Sequence, residues 1–395
     1  MSPPSAFPPE IYDKIIDEVS SSKDALAACS LVERSWKPKS RTHMFRDIDF
    51  TVCSTGSTDL HLHKSIEQTA AFQDNVASNA DVALYARRLV VTLNRSGNIA
   101  SEIPQASKLR NLRSLTLKCS NIIVYAVNDA ILSRLLSFVR HNQNLEYISL
   151  QSLIIDPSAF DVFMKCIGIR APELRSLHLQ SVWGPDWTTV AWNRQKSAQR
   201  SQPKSHTVRR LCISHCEDGA ISMFLSAFDL KHLDRIALMN LDWDSCVAMI
   251  VAILNSPSLT HFTLDLSDHR QFLTGEERIF DRLVNIPTVQ LLIKRFSDAP
   301  MVLQGLQRAA SQRKLFLKQL HLHFRQYPCP SDTMVDAALH ELHLIIPSLR
   351  VSIGFQSQEG IQTTKIGALF RWMSQTGMLH FDSLDAWWTD EAARY

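Results

Sequence analysis

Apolar residues over most of the chain recur in a short alternating unit, Leu-x-x-Leu-x-Leu. The last two apolar positions of the unit share one face of an extended segment, and the first closes the turn leading into it. Seven good copies are Leu112-x-x-Leu115-x-Leu117, Leu145-x-x-Ile148-x-Leu150, Leu174-x-x-Leu177-x-Leu179, Val208-x-x-Leu211-x-Ile213, Leu233-x-x-Ile236-x-Leu238, Leu259-x-x-Phe262-x-Leu264 and Leu317-x-x-Leu320-x-Leu322. Weaker copies are Ala86-x-x-Leu89-x-Val91, Val289-x-Leu291-x-Ile293 and Leu349-x-Val351-x-Ile353. Successive starts from Leu112 to Leu349 lie 25 to 34 residues apart, a period that marks stacked supersecondary units. Between the copies the apolar spacing turns helical, as at Ile131, Leu135 and Val139, then Phe160, Phe163 and Ile167, and later Val302 with Leu306 and Val335 with Leu339 and Leu342. Pro172, Pro257, Pro287 and Pro347 each stand two residues before a strand's first apolar residue, where proline ends the preceding helix. Thr274 and Glu277 have the spacing of a capping box. One strand cannot bury its apolar face alone, so the pattern predicts an α/β chain. Parallel strands are expected to stack into one solenoid over residues 85–395, with helices on the outside and Trp372, Trp387 and Trp388 closing its C-terminal end.

Ahead of the repeats the spacing is helical from the outset. Pro8 and Pro9 suit a first helical turn, and Ile11, Ile15, Ile16 and Val19 follow at helical intervals. Ser20 to Ser22 interrupt, and Leu26, Cys29, Leu31 and Val32 line a second helix with Asp24 near its start. Lys37-Pro38 is expected to end that second helix. Residues 51–84 are polar and read as a connector.

These N-terminal residues carry a resemblance. Phe7-Pro8-x-Glu10-Ile11, then Ile15, Val19, Leu26, Cys29, Val32 and Trp36, resembles the F-box motif, which opens on Leu-Pro-x-Glu-Leu and closes on a Val-Cys-Arg-x-Trp-like segment. With repeats that look like irregular leucine-rich repeats, the chain is similar to F-box proteins of that architecture, including the large fungal F-box-like family. The resemblance implies a short all-α F-box module over residues 1–50, followed by the leucine-rich-repeat solenoid. It implies docking onto the adaptor subunit of an SCF ubiquitin ligase and, through it, onto cullin. Phe7, Pro8, Ile11, Ile15, Leu26, Val32 and Trp36 would form the adaptor-binding set, and the repeats would capture a protein substrate. Ubiquitin chemistry would then belong to other subunits, and this chain would not be an enzyme. A scaffolding protein that uses the same modules outside any ligase stays open as the alternative.

Composition narrows the partners. The chain has 395 residues, 45% of them hydrophobic, and 42 basic against 39 acidic residues give a net charge of +3. That balance points away from nucleic acid and from an anionic membrane surface. The N-terminus has no apolar signal-like core, and the longest apolar run, residues 247–254, is far shorter than a membrane span, so a cytoplasmic or nuclear location is expected. Eight scattered cysteines suit reduced core thiols. Cys212, His215 and Cys216 could begin a metal site, but no second cluster completes one, and no cofactor is expected. Nucleophile-elbow, phosphate-loop and His-Glu-x-x-His motifs are absent from the sequence. His321, His323, His340 and His343 read as partly exposed structural residues. The turn position three residues after the last strand residue, where leucine-rich repeats favour Asn or Cys, holds Cys216 but otherwise Ser120, Leu153, Val182, Leu241 and Ser267.

The longest interruption of the repeats is residues 183–206. It joins Trp183, Trp187 and Trp192 to Arg194, Lys196, Arg200 and Lys204, with no acid after Asp186. Tryptophan anchors beside arginine are what interface hot spots use, so Trp183, Trp187, Trp192, Arg194, Lys196 and Arg200 are the expected partner-binding set, suited to an acidic or phosphorylated protein.

Overall fold

The structure, a computed structural model, describes residues 8–53, 80–94, 103, 108–119, 125–184, 208–216, 228–241, 250–251, 253–267, 277–312, 316–326, 334–355, 370–375 and 379–381. The chain forms two compact units, Met1–Leu174 and Arg175–Arg394. Both are α/β with parallel strands.

Unit 1 begins with helices α1 (Pro9–Glu18), α2 (Lys23–Val32) and α3 (Lys37–Arg46). Proline in the first turn starts α1 and α3, and the Ser22 side chain accepts a hydrogen bond from Ala25 N at 3.3 Å to cap α2. Strand β1 (Asp47–Cys53), helix α4 (Ala80–Tyr85), strands β2 (Arg88–Asn94), β3 (Ser114–Cys119) and β4 (Tyr125–Ala126), helix α5 (Asp129–His141), strand β5 (Tyr147–Ile154) and helix α6 (Pro157–Arg170) follow. The sheet order is β1-β2-β3-β5, all parallel, with β4 paired to the far end of β5. The in-register residues Leu89, Leu115 and Ile148, and likewise Val91, Leu117 and Leu150, are buried in columns beneath α5 and α6, whose Leu135, Phe138, Phe163 and Ile167 close the core. Asn128 Oδ1 accepts from Ile131 N at 3.0 Å and Asp156 Oδ1 from Ser158 N at 2.8 Å, so α5 and α6 each begin on a side-chain cap.

Unit 2 contains β6 (Ser176–Trp183), β7 (Arg210–Ser214), β8 (Arg235–Met239), β9 (His261–Asp265), β10 (Thr288–Ile293), β11 (Gln319–Phe324), β12 (Arg350–Phe355) and β13 (Leu379–Phe381) in consecutive parallel order. Helices α7 (Glu277–Leu283), α8 (Ala299–Gln312), α9 (Met334–Ile345) and α10 (Arg371–Gln375) pack side by side in sequence order. A single hand and order of crossover follows from strands that are each buried by the next element in the chain.

One backbone conformation recurs after the alternating unit, within β5 and β6 and just past β7 and β8. In unit 1 Ser152 has φ 56°; in unit 2 Ser181, His215 and Asn240 have φ 51°, 52° and 48°. Each stands two residues after the last apolar residue of its alternating unit, Leu150, Leu179, Ile213 or Leu238. A left-handed residue there swings the chain so that the next side chain points inward, and Leu153, Val182, Cys216 and Leu241 are all buried. Cys216 is therefore a core thiol, its Sγ donating to Ser214 O at 3.4 Å.

Four expectations change. Lys37 and Pro38 do not end the second helix; α2 stops at Val32, and the proline opens α3, where its missing N–H leaves no bond unmade. Residues 47–53, expected to close the all-α module and open the polar connector, form β1, which pairs with β2 from Asp47 and Arg88 onward. Val289 is the fourth residue of its repeat rather than the first, because it pairs with Phe262 and Leu320; the buried Ile286 takes the first position. Thr274, Trp387 and Trp388 lie outside the described residues. His323 is buried rather than partly exposed.

Candidate functional site

The N-terminal helices hold together through a very small interior. Ile16 of α1 and Leu26 of α2 are fully buried. The Tyr12 ring meets Trp36 at 5.0 Å between centroids, tilted by 46°. Asp17 of α1 bonds to Lys39 Nζ at 3.0 Å and to His43 Nε2 at 2.8 Å, tying α1 to α3. The bond from Lys39, with a further one from His43, holds the Asp17 carboxyl below the usual carboxylate range against the opposing effect of desolvation.

With the interior so small, several apolar side chains remain uncovered. Ile11 and Ile15, one turn apart on α1, are 40% and 42% exposed, and Leu31 and Val32 at the end of α2 are 86% and 66% exposed. Single exposed apolar residues are ordinary; here four stand on two short helices, α1 and α2. Of the expected adaptor-binding residues, the structure leaves Pro8, Ile11, Ile15 and Val32 on the surface and Trp36 half-buried with its Nε1 unbonded. Leu26 points inward, so it supports the surface rather than forming it. Phe7 lies outside the described residues. Leu31 belongs with the exposed group; its place on the apolar side of α2 is the signal that marks it.

Of the expected partner-binding residues, Trp183 ends β6 half-buried, and Trp187, Trp192, Arg194, Lys196 and Arg200 lie outside the described residues.

Unit 2 also carries a polar constellation at the C-terminal ends of its strands. Arg325, just past β11, donates through Nη2 to Asp265 Oδ2 at 2.6 Å and to Asn240 Oδ1 at 3.2 Å. Asp265 is buried, and its Oδ1 accepts from Ser267 N at 2.9 Å. Guanidinium only donates, so Asn240 must turn its oxygen to Arg325 and its amide nitrogen to His215 Nε2, 2.7 Å away. That contact places the lone pair of a neutral His215 on Nε2 and its proton on Nδ1. The result is a clamp across the ends of β7, β8, β9 and β11. Among the described residues no nucleophilic side chain bonds to the imidazole. Among the described residues no group of three or more His, Cys, Asp or Glu side chains could hold a metal ion, and no helix is long and apolar enough to cross a membrane.

No protein-family model matches the chain, and no curated protein is detectably similar to it in sequence.

Proposed function

We propose that the protein is a substrate-recognition subunit of an SCF-type ubiquitin ligase. The N-terminal helices serve as an F-box that docks onto the adaptor and, through it, onto cullin. The leucine-rich-repeat solenoid captures a protein partner, with the insertion at 183–206 as its recognition element. The chain presents its partner and contributes no ubiquitin chemistry. The observation that carries this reading is the exposure of Ile11, Ile15, Leu31 and Val32 on helices whose own core, Ile16 and Leu26, is complete without them. An apolar surface of that kind gains most by burial against a groove of another protein.

The test is co-purification from cells of the full chain carrying Ile11→Asp and Val32→Asp. Both positions are exposed, so the melting temperature should hold, whereas a carboxylate in a desolvated interface costs about 3 kcal/mol or more, roughly a hundredfold in affinity. Adaptor and cullin should be lost together. Recovery of both at the wild-type level would sink the assignment. Leu26→Asp is unsuitable, since it would unfold the helices rather than probe their surface. For the partner, deleting residues 191–203 should remove most partner recovery and leave adaptor binding intact.

A further inference from the structure

The first variable position of the repeating unit, the residue after its leading apolar residue, forms a row along the N-terminal edge of the unit 1 sheet. Its occupants are Arg46, Arg87, Arg113 and Glu146. Backbone bonds place them in register: Arg87 N donates to Arg46 O at 2.9 Å, Arg113 N to Arg87 O at 2.7 Å, and Glu146 N to Arg113 O at 2.8 Å. Equivalent positions on adjacent strands are about 4.8 Å apart, so three arginines stand one behind another; Arg88, at the start of β2, pairs with Asp47 and Ser114 and begins the next rung beside them.

Like charges side by side on neighbouring strands oppose folding. One rung is offset, since Arg113 Nη1 is 3.5 Å from Glu146 Oε1. Arg87 Nη1 donates to the Asn111 carbonyl at 3.1 Å, which orients it without neutralising it. Among the described residues, Arg46, Arg87 and Arg88 make no ion pair, and Asp47, the in-register neighbour of Arg88, stands exposed. The Arg88 Nε is buried without a partner. Burial, and then the neighbouring Arg113, make the charged form of Arg87 less favourable than it is in water. A partly desolvated cationic row with only one rung offset by an ion pair is a site whose electrostatics improve when an anion arrives.

We propose that this row, Arg46, Arg87 and Arg113, with Arg88 beside it, binds an acidic segment of a protein partner through successive carboxylates. Guanidinium forks take planar carboxylates in bidentate fashion, and stacked rungs match acidic side chains presented in succession. The row spans only about 10 Å and is closed by Glu146, too short a track for a nucleic-acid backbone. The site does not depend on the adaptor reading, and none of its residues belongs to the 183–206 insertion.

The experiment uses the full chain and fluorescein-labelled hexaglutamate, with binding read by anisotropy in about 50 mM and about 300 mM NaCl. Wild type should bind at low salt and weaken several-fold at high salt. Arg87→Gln with Arg113→Gln should weaken binding by about tenfold or more. Arg113→Gln alone, at an exposed side chain, should cost about threefold and keeps the test open should the double variant fail to fold. Removing charge from the row should leave the melting temperature of the free protein unchanged or raise it. Arg209→Gln, in the shorter two-arginine run of unit 2 that Asp234 closes, should stay within about twofold of wild type, as should deletion of residues 191–203. The proposal is overturned if wild type does not bind hexaglutamate, if a folded row variant binds it as wild type does, or if the deletion alone loses binding. Binding of inorganic phosphate without binding of hexaglutamate would also overturn it, by assigning the row to a phosphate group.

Discussion

His178, on β6, is buried on the face of its strand opposite Leu177 and Leu179, and burial pushes its imidazole down to about 4. The unfolded chain binds a proton there below about 6.5, whereas the folded chain stays neutral until about 4. Stability should therefore fall as the pH drops through that window, by about 1.4 kcal/mol per pH unit at the steepest, and be insensitive to this group above it. Urea midpoints of His178→Gln between about pH 4 and 6.5 should show a flatter slope than wild type; an unchanged slope would assign the acid sensitivity to other groups. Asp17 acts in a different window. Its carboxyl is depressed by Lys39 and then His43, so its contribution is complete above the ordinary carboxylate range and disappears only at more acid pH. Asn142, fully buried, accepts from Leu112 N at 2.8 Å and donates to Phe138 O at 2.9 Å, joining the end of α5 to the segment leading into β3. Asn142→Ala would orphan the Leu112 N–H and should cost about 1–3 kcal/mol in chemical denaturation. Residue by residue, the alternating pattern tells which face a side chain takes, not whether anything covers it. That is why Leu177 and Leu179 were legible as core while the burial of His178 and His323 was not. The same limit separates Leu26 from Leu31: helical spacing makes both apolar, and only packing decides which is covered.

At the scale of elements, helix α8 meets α7 at Gly305. A methyl group there would lie 2.6 Å from the Phe280 ring, closer than real contacts allow. Alanine improves helix propensity by up to about 1 kcal/mol, but the overpacking penalty is about 1–3 kcal/mol, so the contact decides the sign. Gly305→Ala should lower the melting temperature, and adding Phe280→Leu should restore part of the loss; a more stable Gly305→Ala would mean that α7 simply moves aside. Strands were the most legible elements, since a period of two with a fixed apolar face survives changes of residue type. Strand β1 escaped because its leading residue is Phe45 and its variable positions are Arg46, Asp47 and Asp49, a polar stretch in which the unit Phe45-x-x-Ile48-x-Phe50 is easily missed. The arginine row has the same history. Each arginine is visible as one position of one repeat, yet the row exists only once register sets Arg87 beside Arg113. The clamp of His215, Asn240, Asp265 and Arg325 was less legible still, because Asn240 and Arg325 meet across 85 residues of chain.

At the scale of the molecule, a chain built of stacked units must close its ends, because each unit buries its face only against the next. In unit 2 the C-terminal interior is aromatic: Phe296 lies 4.7 Å from Phe324 and 5.4 Å from Phe370 between ring centroids, and Phe324 lies 5.8 Å from Phe355. Phe370 is fully buried, and the helix it leads into binds back onto α9, with Trp372 N donating to Asp336 Oδ2 at 3.0 Å and the indole 4.6 Å and 5.4 Å from His340 and His343. Strand β13 then covers the edge of β12, pairing Leu379 with Val351 and Phe381 with Ile353. A chain ended after Phe355 loses all three devices at once: the ring that seals Phe296, the helix against α9 and the strand on the open edge. An uncovered aromatic core beside an unpaired strand edge is a template for association. That truncation should elute as aggregates in size-exclusion chromatography and bind an apolar dye. A monodisperse, dye-silent protein ending at Phe355 would mean that β12 and α9 close the unit by themselves and that the segment from Phe370 onward serves another purpose.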